Sequence, residues 1–208
     1  MREGAKMTSE KQEIVQQTRA AFDLIQKLYL EISYLIKEVE GLLREEDEKF
    51  IIGRPSGYAV TCRSSTGLET GNVNQWLMRK FSVCFIPEDL TKTEKGQTFT
   101  DITSNLKVIY MRFTLTGKEI DEPEIQFGVL HSVEKKPNAK WLKKFEHLMG
   151  HLEYNSEKIF NKTPNVDYSD AYVSVKGRLH KSHLFDIKDS ETIVEKIIKP
   201  CLKIYRSI

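Results

Sequence analysis

From Ile14 onward, largely apolar positions recur at spacings of four and three: Ile14, Thr18, Ala21, Ile25, Leu28, Ile32, Leu35, Val39 and Leu42. On a helix they form one stripe, and a second row, Phe22, Tyr29, Ile36 and Leu43, widens it beyond the seam of a two-stranded coiled coil. The pattern predicts a helix over residues 9–46, frayed at Glu45, Glu46, Asp47 and Glu48, where the macrodipole disfavours anions. Such a helix is roughly 50 Å long, against roughly 20 Å for a typical strand, so part of it is expected to overhang a sheet. Two outcomes are open for the stripe. Ile14, Ala21, Ile25, Leu28, Ile32, Leu35 and Val39 dock a protein partner or a second copy of the chain, or the whole face packs within the monomer.

Beyond residue 50 the period changes. Phe50 to Ile52, and the alternating stretch Tyr58 to Ser64, read as strands around the turn residues Gly53, Pro55 and Gly57, with a loop from Ser64 to Asn74. Three further strands are expected at Arg79 to Ile86, Leu106 to Leu115 and Ile125 to Val133. The second is apolar on both faces and should be central, whereas Lys80, Ser82 and Cys84 imply a polar face on the first. Short links between successive strands suggest antiparallel neighbours.

Pro137 and Asn138 introduce a second helix carrying Trp141, Leu142, Phe145, Leu148, Met149 and Leu152. Asn161 to Asp170 reads as a loop, Tyr172 to Phe185 as a long strand, and Asp189 or Ser190 as the cap of a last helix that Pro200 should kink or restart. The expected fold class is α+β: a long N-terminal helix and two helices of the C-terminal half packed on a mainly antiparallel sheet of about five to six strands. One domain, 1–208, is expected, with its core in 50–208.

Composition supports this reading. Apolar residues at 39% against 30% charged supply enough surface to offset chain entropy, which argues against disorder. Cys62, Cys84 and Cys201 are odd in number and lack metal-site spacing, so a reducing compartment is expected. Residues 1–11 are polar and no run approaches a membrane span, which points to a cytoplasmic protein with no membrane partner. The Asn161-Lys162-Thr163 sequon carries no weight without secretion. Acidic residues predominate in 1–49 and basic ones in 131–208, an asymmetry far short of a nucleic-acid arm.

The chemistry is sparse. Period-two geometry puts Lys176, Arg178 and His180 on one face of the last strand, and Arg63 and Lys80 could extend that stripe into an anion or nucleic-acid platform; the alternative is a solvated outer strand. His147 and His151 have the four-residue spacing of metal ligands, but they sit beside Lys140 and Lys144, opposite Trp141 and Phe145 on a helical wheel. Third ligands would have to come from His131, His180 or His183. The order of elements is similar to metal-dependent nucleases, yet Gln126 stands where Glu124-Ile125-Gln126 would need lysine, and other carboxylates would come from Glu88, Asp89 or Asp101. Gly53, Gly57, Gly67 and Gly71 form no P-loop, and Cys62 and Cys84 fit the role of small buried hydrophobes. No cofactor motif is present. These features predict a non-catalytic interaction, scaffold or accessory protein, with nucleic-acid or phosphoryl-ligand binding, possible nuclease activity included, as the alternative.

Overall fold

A computed structural model describes residues 9–53, 78–94, 97–100, 106–117, 120–142, 145–161 and 164–208. The chain divides into two compact units, Met1–Glu38 and Val39–Ile208. Helix α1 (Ser9–Arg44) supplies the whole described part of the first unit and the opening of the second, and it ends just before the acidic run.

The second unit is built on a six-stranded, wholly antiparallel sheet. Its strands are β1 (Phe50–Ile52), β2 (Lys80–Pro87), β5 (Val108–Thr114), β6 (Glu124–Lys135), β7 (Asn165–Ser169) and β8 (Val173–His183), in the order β1-β2-β5-β6-β8-β7. Thr91–Glu94 (β3) and Gln97–Thr100 (β4) pair as a separate hairpin. The α+β class with a long N-terminal helix is thus the fold of the chain, and β5 is central as its two apolar faces require.

Each face of the sheet is covered by a different part of the C-terminal half. Cys84, Tyr110, Leu130, Val175 and Leu179 pack beneath α2 (Phe145–Tyr154) and α3 (Ser156–Phe160), whose Leu148, Met149, Leu152, Ile159 and Phe160 complete one core. On the opposite face, Phe50 meets Tyr205 edge to face, and Phe81 stacks on Phe113. Tyr205 belongs to α5 (Lys199–Ser207), the end of a C-terminal helix that begins as α4 (Ser190–Ile193). Burying a side chain of this size contributes about 1.5–3 kcal/mol, which is why both layers are needed.

Several expectations are corrected. The face of β2 with Lys80, Ser82 and Cys84 is wet only at Lys80: Ser82 and Cys84 are buried, with Cys84 Sγ 3.7 Å from Met149 Sδ, because α2 lies over them. The second helix does not start at Pro137. Successive turns, Ala139 N–H to Lys136 and Leu142 N–H to Ala139, carry the chain past Trp141, and the described helix is Phe145–Tyr154. Asn165–Ser169, read as loop, is the edge strand β7, and the β3–β4 hairpin is an addition to the expected strands. Tyr58 to Ser64 and the loop to Asn74 lie outside the described residues.

The C-terminal helix follows its sequence signals. Asp189 is the N-cap, accepting from Thr192 N–H at 2.8 Å while Thr192 Oγ1 accepts from Asp189 N–H at 3.1 Å. Pro200 brings no N–H and a bulky ring, and the preceding turn widens into a π-helical stretch, Val194–Ile198. Pro200 then sits in the first turn of α5, where its missing donor matters least.

Candidate functional site

Of the stripe residues on α1, Ile14 and Ala21 are exposed, Ile25, Leu28 and Leu35 are half-buried, and Ile32 and Val39 are buried. Phe22 and Leu24 are also exposed, the former at 57%, equal to Ile14. Leu30 and Tyr34 are exposed too, but the 3.6-residue turn puts them on the other side of the helix. The first half of the stripe is therefore the part that water reaches.

The basic residues do not form one patch. Lys176, Arg178 and His180 share a face of β8, with Lys176 and Arg178 exposed. Lys80 pairs with Thr114 on β5, in the register that puts it on the opposite face, under α2 and α3. Arg63 lies outside the described residues. His180 stacks on Phe127 at 5.9 Å, and burial followed by the nearby Arg178 lowers its pKa, which favours the neutral ring. Asp167 stands opposite Lys176 on β7, which leaves a stripe of two standing cations beside a carboxylate.

His147 and His151 each have a partner at one ring nitrogen, and among the described residues no group of three or more His, Cys, Asp or Glu is placed to hold a metal ion. His151 lies 2.6 Å from Asp170 Oδ2 through Nε2, and its ring meets Trp141 at 5.4 Å and Tyr172 at 5.8 Å. Trp141 thus stands beside His151, because it precedes the helix on which the wheel had placed it opposite. His147 Nδ1 faces the Trp141 carbonyl at 3.2 Å. Asp170 also accepts from Tyr168 Oη and from the Tyr172 and Val173 amides, which makes it the hub of the turn between β7 and β8. Glu88 and Asp89 follow the Pro87 end of β2, whereas Glu124 lies at the Lys80 end of the sheet, so these carboxylates do not converge. Asp101 is outside the described residues.

A constellation not anticipated from the sequence lies at that Lys80 end. On the face beneath α2 and α3, register aligns Ser82, Arg112, Gln126 and Lys181 in one cross-strand row, and Lys80, Thr114 and Glu124 in the next. Arg112 is 4% exposed. Its Nε donates to Glu153 Oε1 at 3.3 Å and its Nη2 to Ser156 Oγ at 3.1 Å, while Nη1 reaches Thr114 at 3.4 Å and Gln126 at 3.5 Å. Above these rows is a cavity of about 470 Å³, bordered by Arg79, Lys80 and Lys181 and roofed by Glu157, Phe160 and Asn161. Lys80 lies 3.6 Å from Glu157, and Lys181 lies 2.6 Å from Glu124. The signal was available as polar pairs two residues apart near one end of each of these strands, but the strong apolar run around Arg112 and Thr114 obscured it.

Comparison with protein-family models, with curated proteins and with solved structures gave no match to this chain. Among the described residues no helix is long and apolar enough to cross a membrane.

Proposed function

We propose that the chain is a non-catalytic interaction protein that associates with a second copy of itself through the first half of α1. The observation that carries this reading is the exposure of Ile14 and Phe22, each at 57%, on a first unit described as a single helix. A lone helix has no layer of its own against which to bury such residues, and helices in water gain most of their stability from packing an amphipathic face. A second copy supplies the complement without any further component, since identical stripes at three- and four-residue spacing interdigitate across a two-fold axis.

Nucleic-acid binding through β8 has weaker support, because Lys176 and Arg178 are the exposed cations that β8 itself supplies on the face they share and Asp167 lies alongside.

Light scattering coupled to size-exclusion chromatography tests the proposal. Wild type is expected at twice the 24.1 kDa chain mass, and an Ile14→Glu/Phe22→Glu variant at the single-chain mass with an unchanged sheet spectrum. A wild type that remains monomeric throughout the micromolar range overturns it.

A further inference from the structure

The cavity at the Lys80 end of the sheet differs in construction from the rest of the face it shares. Elsewhere that face buries Cys84, Tyr110, Leu130 and Leu179 against the helices. At this end it buries Arg112 at a desolvation cost that Glu153 and Ser156 offset. Anchoring α2 and α3 accounts for those three residues. It does not account for Arg79, Lys80 and Lys181 bordering the same space, nor for the space itself, whose volume of about 470 Å³ is within the range of small-molecule sites. If holding the helices were the sole requirement, apolar residues of similar volume would serve as well or better.

The donors define what would fit. The Nη1 contacts of Arg112, at 3.4 and 3.5 Å, lie beyond the usual hydrogen-bond range, so this nitrogen would gain from a charged acceptor. A guanidinium matches the paired oxygens of a phosphate, and ammonium groups act on phosphates as mobile point charges. Glu157 and Glu124 each hold a lysine at the border and Glu153 holds Arg112, so a ligand would have to draw these cations from carboxylates that compete for them. Lys80 and Lys181 stand on β2 and β8, three strand spacings apart, or about 14 Å between backbones at about 4.8 Å per spacing. Lysine side chains reaching inward from that separation can each take a different phosphate of a linked chain, which gives such a chain more contacts than a single phosphate.

We propose that this cavity binds a small molecule carrying two or more linked phosphates, seated on Arg112 between Lys80 and Lys181. The proposal is independent of α1.

Titration calorimetry on the full chain, with pyrophosphate, inorganic phosphate and citrate as probes, tests it. Pyrophosphate is expected to bind saturably, more weakly as salt rises, and more tightly than phosphate or citrate. Lys80→Ala and Lys181→Ala each remove a charge at the border without opening the core, and each should weaken pyrophosphate about tenfold or more. Glu157→Gln, which removes a competing carboxylate, should strengthen it. Arg112→Met should abolish binding, and the lysine variants keep the test decisive if that protein does not fold. Absence of saturable pyrophosphate binding, equal affinity for citrate, or unchanged affinity in both lysine variants overturns the proposal. Binding of an RNA oligonucleotide that pyrophosphate does not displace also counts against it.

Discussion

Arg112 and Glu153, which lie on β5 and α2, meet at 3.3 Å with 5% and 8% of their side chains exposed. Glu153 also accepts from Tyr110 Oη at 3.3 Å, and Arg112 lies over the Phe160 ring at 5.6 Å. Removing one member of such a pair leaves a buried charge without its partner, a loss of about 3–5 kcal/mol, whereas replacing both by apolar groups can be near neutral. We therefore expect Arg112→Met and Glu153→Leu each to destabilise the fold strongly, and the double variant to be more stable than the sum of the two losses implies. Urea denaturation of the four proteins measures this coupling; additivity within about 0.5 kcal/mol would show that the pair does not act as one.

Gly128 lies where β6 and β8 leave no room for a side chain. With φ of 157°, it stands opposite Leu179, and a Cβ built on it would lie 2.1 Å from the Arg178 carbonyl oxygen. That obstacle is backbone in a central pair of strands, so no rotamer change relieves it. Gly128→Ala is expected to cost about 2–4 kcal/mol, from overpacking and backbone strain together, and to lower the thermal midpoint accordingly. Gly150→Ala is the control, since its Cβ meets nothing within 4 Å.

The elements legible in the sequence were those with an uninterrupted period. The row from Ile14 to Leu42 gave α1, and the alternation from Val173 to His183 gave β8. Asn165–Ser169 was obscured because Asn165, Asp167 and Ser169 are turn formers that mask the strand-forming Val166 and Tyr168 between them, and pairing with the edge of β8 makes the segment a strand. The cavity was obscured for a related reason. Arg112, Gln126 and Lys181 lie on three strands separated in sequence, and what unites them is register, which periodicity within one strand cannot supply.

Arg206 on α5 grips the acidic run that follows α1. Its Nε donates to Glu48 Oε1 at 3.2 Å, and its Nη2 to Glu48 Oε2 at 3.0 Å and Glu46 Oε2 at 2.8 Å. The hydrogen bond from Arg206 is the main reason the Glu48 carboxyl lies below its ordinary pKa. The geometry is bidentate, but the guanidinium is 47% exposed, so solvent screens most of the interaction. Arg206→Ala is expected to cost no more than about 1 kcal/mol. Hydrogen exchange should nonetheless speed up in the last turn of α5, and a loss of several kcal/mol would show that the contact does more than tie down a helix end.

Asp170 gives the fold a defined acid limit. Burial pushes its carboxyl up, but hydrogen bonds from the Tyr172 and Val173 amides, from His151 and from Tyr168 together outweigh burial and hold it well below the usual carboxylate range. Lys136 adds a further charge nearby, donating to the Asp170 carbonyl and to Ser169 Oγ. Because the folded pKa lies below the unfolded one, the stabilisation is complete above the ordinary carboxylate pKa of about 3.9 and is lost as pH falls through the folded value. Asp170→Asn keeps one acceptor oxygen but loses the charge, at a cost of about 2 kcal/mol at pH 7 for the weakened charge-assisted bonds. The two proteins should then converge in stability as pH is lowered from 5 toward 2, with the wild type falling more steeply. Urea melts across that interval measure the convergence. Parallel stability curves for the two would mean that Asp170 titrates alike in the folded and unfolded chains, and that the turn between β7 and β8 is held by its backbone alone.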